Sequence, residues 1–338
     1  MTYSIRSLRR GLMAALFAVL FTAAAFAPPL RLATLAPKDT SFDKSLRKMG
    51  QAWKKDTKGK ASLIVYAGGS QGSESELINK MRINRLHAAL LTGIGLSEID
   101  DSVAVFQKVP MLYRSFEELE HVMSELTPLL EERILEKGFV VLSWIDSGWV
   151  RIFSKNELVT PDDMRQSKLF TWAGDAKQTD LLKKMGFRPV AIESTEIVSS
   201  MTTGLIDTVP MPPFYALASQ TYNSAPYMLD FKYAPITGAI VVSERVWSRF
   251  SAEEQAAMRA AAQKAGKEMT ASGRQESEDS IRVMRDDWNL KVRTLTDGES
   301  AQWQAISKEA YGHIRDNTVP GEVWDQVVRI LEDFRAGQ

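Results

Sequence analysis

Short apolar runs rich in β-branched residues alternate along this chain with segments whose apolar positions recur every three or four residues. The first rhythm is that of buried strands and the second that of helices with one buried face. Leu30 to Leu35 predicts a strand, and Asp39-Thr40 caps a helix carrying Phe42, Leu46, Met49 and Trp53 on one face. Ser62 to Tyr66 predicts a second strand, closed by the turn Ala67 to Gly72. Ser73 and Glu76 then form a capping box for a helix bearing Leu77, Ile78 and Met81. Ala88 to Leu91 and Phe139 to Trp144 read as strands on either side of a helix that starts at Ser115 and reaches Leu135.

The rhythm repeats downstream. Thr160-Pro161-Asp162-Asp163 opens a helix, with proline at its first position and acids in its first turn. Lys168 to Trp172, Pro189 to Ile192 and Ile206 to Pro210 are strand-like, a helix ends at Gly204, and Tyr233 to Ser243 is a long extended stretch. Ser251 to Glu254 boxes the start of a helix that runs to about Met284, with Met258, Ala262, Ala265, Met269 and Ile281 on its apolar side. A helix of about thirty residues is roughly 45 Å long, more than one small domain needs, so it is a candidate spine between two domains. The tail from Gly298 to Phe334 reads as helical, anchored by Trp303, Trp324, Val328 and Leu331. This β-α-β alternation predicts an α/β protein with helices on both faces of its sheets.

The first residues break the pattern. Arg6, Arg9 and Arg10 precede an uncharged apolar run from Gly11 to Ala25 and then small residues, the layout of a secretory signal peptide cut near Ala25. With 42 basic and 42 acidic residues the chain has no net charge, which points to neither nucleic acid nor an anionic membrane surface as partner. The absence of cysteine excludes disulfides, thiolate metal sites and a lipid-anchored N-terminal cysteine. The three histidines, His87, His121 and His313, stand far apart without metal-ligand spacing, and no nucleophile elbow or His-Glu-x-x-His pair occurs. Gly68-Gly-Ser-Gln-Gly72 lacks the Lys-Ser/Thr ending of a phosphate loop and reads as a turn. Neither a cofactor nor a metal is implied, and binding is favoured over catalysis.

Several pieces in fixed order carry a resemblance. They are Ala33-Thr-Leu-Ala-Pro37, Gly68 to Gly72 ahead of Ile78-Asn-Lys-Met-Arg82, Val159 to Met164 ahead of Lys168-Leu169, Thr202-Thr-Gly-Leu-Ile-Asp207, and Ser251 to Glu254 after Val246-Trp247. From about Leu30 to Val292 the chain resembles the extracytoplasmic solute receptors of tripartite ATP-independent periplasmic (TRAP) transporters, the DctP-like family. The resemblance implies a two-lobed periplasmic solute-binding protein fold with crossing hinge strands and a long spanning helix. The lobes would be residues 30–147 plus 236–289, and 148–235 plus 290–338. It also implies that a captured solute passes to the small and large membrane subunits of a permease. A ligand sensor for a signalling receptor, or a hydrolase or lyase with an unmarked carboxylate site, are the competing readings.

The resemblance also implies an arginine after the Lys-hydrophobic pair to clamp a carboxylate, but here Lys168-Leu169 is followed by Phe170. The upstream arginine of the family falls on Arg151 only with a shift of one residue past Gly148-Trp149. An aromatic ring cannot replace a bidentate guanidinium. The expected cleft is therefore apolar, walled by Phe170, Trp172, Met211, Phe214 and Tyr215, with Arg151 as anion anchor. Trp149 flanks the first crossing, Gln71 is placed to hydrogen-bond across the cleft, and Phe42 fits either the first lobe's core or the cleft wall.

Overall fold

A computed structural model describes residues 29–337. The expected signal peptide lies outside the described residues. The first sheet has five strands in the order β2-β1-β3-β10-β4: β2 Leu63–Tyr66, β1 Leu30–Thr34, β3 Ala88–Thr92, β10 Pro235–Ser243 and β4 Phe139–Trp149. The second has six in the order β11-β9-β5-β8-β6-β7: β11 Lys291–Thr294, β9 Tyr227–Asp230, β5 Arg151–Ser154, β8 Thr208–Met211, β6 Lys168–Trp172 and β7 Arg188–Ile192. In the first sheet β1 runs parallel to β2 and β3, while β10 is antiparallel to both β3 and β4. Strands β4 and β10 are buried along nearly their whole length, which explains their near-continuous apolar runs, while the edge strands β2, β7 and β11 are part-exposed.

Helices supply the covering layers: α1 Ser41–Asp56, α2 Glu74–Arg82, α3 Gly93–Ile99, α4 Phe116–Glu136, α5 Pro161–Gln166, α6 Ala176–Lys184, α7 Ile197–Thr203, α8 Pro213–Ala218, α9 Ala252–Trp288, α10 Asp297–Ile314 and α11 Gly321–Ala336. Their starts follow the capping residues read from the chain. Ser251 N donates to Glu254 Oε2 at 3.0 Å while Glu254 N donates to Ser251 Oγ at 3.3 Å, and Thr160 pairs with Asp163 in the same way.

Among the described residues, three crossings join the sheets before the C-terminal tail. β4 leads into β5 through Val150, and β9 leads into β10, with Val150 N donating to the Ala234 carbonyl at 2.8 Å to tie the two crossings together. The third crossing is α9, of 37 residues. Met258, Ala262, Ala265 and Met269 join the core of the first lobe, whereas Ile281 and Met284 join that of the second, so the helix is the spine its length suggested.

The tail departs from expectation. The expected bounds place it whole in the second lobe, but only β11 and the Trp303 end of α10 pack there. A break at Arg315–Val319 turns α11 back, and Val323, Trp324, Val327 and Leu331 enter the first lobe's core beside Leu126 and Leu130 of α4. The physical reason is that α11 has a strong apolar face and α4 offers a matching one. Among the described residues no helix is long and apolar enough to cross a membrane.

Candidate functional site

The ends of β1, β3, β6 and β8 converge on a cavity of about 190 Å³ between the two sheets, roofed by the crossing segments. Ligands of open α/β sheets sit at such strand ends. The first lobe contributes Leu35 and Ala36 after β1, Thr92 and Ile94 at the β3–α3 junction, and Phe42 from α1. The second contributes Phe170 and Trp172 from β6, and Met211, Phe214 and Tyr215 from the β8–α8 corner. Ile145, Ser147, Val150, Tyr233 and Thr237 come from the crossings.

Two aromatic pairs shape the walls. Phe42 stacks on Phe214 with ring centroids 5.3 Å apart and planes 13° from parallel, joining the two lobes. Phe170 and Trp172, on one face of β6 because strand side chains alternate, meet edge to face at 5.2 Å. Six of the nine site residues expected from the sequence thus line the cavity: Phe42, Phe170, Trp172, Met211, Phe214 and Tyr215.

The other three lie elsewhere. Arg151 is buried, but its Nε donates to Asp230 Oδ1 at 2.5 Å and an Nη lies 3.5 Å from a Glu278 oxygen. A buried guanidinium needs such partners, and these acids from β9 and α9 draw it away from the cavity, so it does not stand there as an anion anchor. Trp149 packs against Phe116 at 5.0 Å with Lys232 over its ring, in the core of the first lobe. Gln71 remains in its turn, where its carbonyl accepts from Lys80, and it does not reach the cavity wall.

Polar groups absent from the sequence reading take their place. Among the described residues Lys108 is the one cation lining the cavity, and its Nζ lies 2.6 Å from Asp175 Oδ2 across the cleft, with side chains only 10% and 8% exposed. Asp175 does double duty, since its Oδ1 also accepts from Gln178 N at 2.9 Å and so caps α6. The Gln107 side-chain carbonyl accepts from Gly93 N at 3.1 Å and Thr237 N at 3.2 Å, fixing the ends of β3 and β10 together. The hydroxyls of Ser194 and Thr237 are buried at the cavity and have no hydrogen-bond partner among the described residues. Glu74 is buried at the same wall, accepting from Thr92 N and Thr92 Oγ1, each at 2.6 Å. Burial pushes its carboxyl up to about 7, and the Thr92 hydrogen bonds offset only part of that rise. Burial likewise pushes Tyr233 up to about 12. The one signal that could have pointed to Lys108 was a lone cation, beside Gln107, inside a mostly apolar stretch from Val103 to Leu112.

Two lobes facing each other across a cavity, joined by two crossing strands and a long spanning helix, define the class of two-lobed solute-binding proteins. Sequence comparison places the chain within that class: residues 32–317 match the family described as bacterial extracellular solute-binding protein, family 7, and the chain belongs to that family. A solute-binding protein of Roseobacter denitrificans is 25% identical over 303 residues, covering 87% of this chain and 89% of its relative. Among solved structures, a TRAP periplasmic solute-binding protein from Xanthobacter autotrophicus with bound β-D-galacturonate superposes with a TM-score of 0.82 at 21% identity, over 90% of this chain and 99% of that one. The sugar acid binding protein of Advenella mimigardefordensis in complex with galactonate gives 0.84 at 17% identity, over 91% and 98%. The family is made of solute receptors, and the fold of these structures is the fold of this chain.

Proposed function

We propose that this protein is a periplasmic receptor that captures a small organic solute with substantial apolar surface and hands it, unaltered, to the small and large membrane subunits of a TRAP permease. Export rests on the leader pattern from Arg6 to Ala25. The observation that carries the ligand class is the cavity wall: Phe42, Phe170, Trp172, Met211 and Phe214 face it, and its single cation, Lys108, is already paired with Asp175. The galacturonate and galactonate held by the two structural relatives bring a carboxylate and many hydroxyls. A carboxylate buried without a free cation or several donors costs several kcal/mol. Apolar solute surface instead gains about 25 cal/mol per Å² on these walls. An acid group on the solute would rely on Lys108 and the hydroxyls of Ser194 and Thr237.

Calorimetry against benzoate and branched-chain acids on one side, and galacturonate and succinate on the other, tests this. Apolar acids should bind more tightly, and Trp172→Ala should weaken them by on the order of 2 kcal/mol. Tight binding of galacturonate or succinate that ignores Trp172→Ala would overturn the ligand class. Steady turnover of any bound solute would overturn the receptor role.

A further inference from the structure

A second cavity of about 50 Å³ adjoins the first, and four residues line both: Lys108, Gln178, Leu182 and Tyr233. They come from the segment before α4, from α6 and from the second crossing, so the shared wall is a neck where both lobes and the hinge meet. Beyond it the wall is mostly apolar, with Met164, Leu181, Met185, Phe187, Trp303 and Ile306, and it also includes the hydroxyl residues Ser307 and Thr318. The polar groups without partners, Ser194 and Thr237, line only the first chamber.

We infer that the solute site is bipartite, and that the second chamber receives the apolar tail of an organic acid whose head stays in the first. This rests on the receptor reading above and narrows its solute to acids with a chain longer than the first chamber holds. The distribution of polarity carries the argument. A head group finds buried, unpartnered hydroxyls in the first chamber only, since Ser307 Oγ of the second already donates to the Trp303 carbonyl at 2.8 Å, and desolvating a head group there would leave it poorly paired. A tail passing the neck meets the aliphatic stem of Lys108, the leucine Leu182 and the ring of Tyr233, because a long basic side chain lines apolar space with its methylenes. A water-sized group needs roughly 10–15 Å³ of such space, so the second chamber takes about three to five methylene-sized groups. Met164 and Met185 are the side chains best able to yield to different tail shapes.

Chain length is the readout. Calorimetry on the full mature protein with straight-chain monocarboxylates from butyrate to decanoate, and with benzoate as a single-ring acid, should show binding tightening by about fourfold per methylene until the second chamber is full. Ala310→Leu, which narrows that chamber, should bring the plateau to a shorter acid and leave benzoate unchanged. Met185→Ala, which widens it, should move the plateau to a longer acid and guards against misfolding of the first variant. If benzoate binds and the chain-length profile is the same in the wild type and both variants, the second chamber is not part of the site. If neither benzoate nor any chain acid binds the wild type, the solute class itself falls and the inference falls with it.

Discussion

Glu74 stands at the cavity wall with no cation beside its carboxyl among the described residues, its two oxygens accepting from Thr92 N and Thr92 Oγ1. Burial raises it from the usual 4.5 to about 7. A carboxyl that holds its proton more tightly folded than unfolded contributes stability that is fully present below about 4.5 and lost as pH rises through about 7. At about 1.4 kcal/mol per pKa unit the loss amounts to at most about 3 kcal/mol above neutral pH. Glu74→Gln keeps an acceptor for Thr92 N and removes the charge, so it should stabilise the protein at about pH 8 and have little effect at about pH 4. Urea midpoints at the two pH values check this, and an equal loss at both would mean that Glu74 serves only as a hydrogen-bond brace. The aromatic residues at this scale were legible because Phe170 stands where an arginine was expected, next to Trp172 on a strand end. Ser194 and Thr237 were not legible, and Lys108 only as a lone cation in a mostly apolar stretch, since nothing local marks a polar side chain as facing a cavity rather than solvent.

Among the elements, α9 depends on close approach. A Cβ added at Gly273 would lie 2.8 Å from Ser147 Cβ, 3.0 Å from Ser147 Cα and 2.9 Å from Phe42 Cζ. The helix therefore rests directly on the end of β4 and against the ring that stacks on Phe214. Gly273→Ala gains about 1 kcal/mol of helix propensity and incurs about 1–3 kcal/mol of overpacking, since backbone of β4 cannot rotate away. A net loss of about 1 kcal/mol is expected in thermal unfolding, together with weaker solute binding as Phe42 is displaced. A gain in melting temperature with unchanged binding would show that the contact relaxes freely. The start of α9 was legible from Ser251 and Glu254, and its length from the apolar positions Met258 to Ile281. The break in the tail is marked by Asn317 and by Pro320-Gly321, but the lobe that α11 joins was not legible, because local residues do not fix a packing partner.

Across the whole molecule, the lobes meet through Lys108–Asp175 and Lys177–Asp101, each at 2.6 Å, and through the Phe42–Phe214 stack. The Lys177 pair is exposed and contributes little, at most about 1 kcal/mol. The Lys108 pair is buried, so Lys108→Met strands the Asp175 charge at a cost of about 3–5 kcal/mol while the lobes are closed, which opening would relieve. Small-angle scattering of the solute-free variant should show a larger radius of gyration than the wild type, and saturating solute should compact the wild type. Identical scattering curves for variant and wild type would mean that the ion pair does not hold the lobes together.

Local pattern was enough for the class of the molecule. Strand and helix rhythm, the capping boxes at Ser73, Thr160 and Ser251, and the length of the spine are properties of neighbouring residues, and neighbouring residues are what a sequence displays. The side of the cleft on which each polar group stands belonged to tertiary structure alone. Arg151 is captured by Asp230, 79 positions away, and Lys108 meets Asp175 only because two lobes close. Burial in a low-dielectric interior makes partner choice depend on three-dimensional distance, and sequence separation says nothing of it.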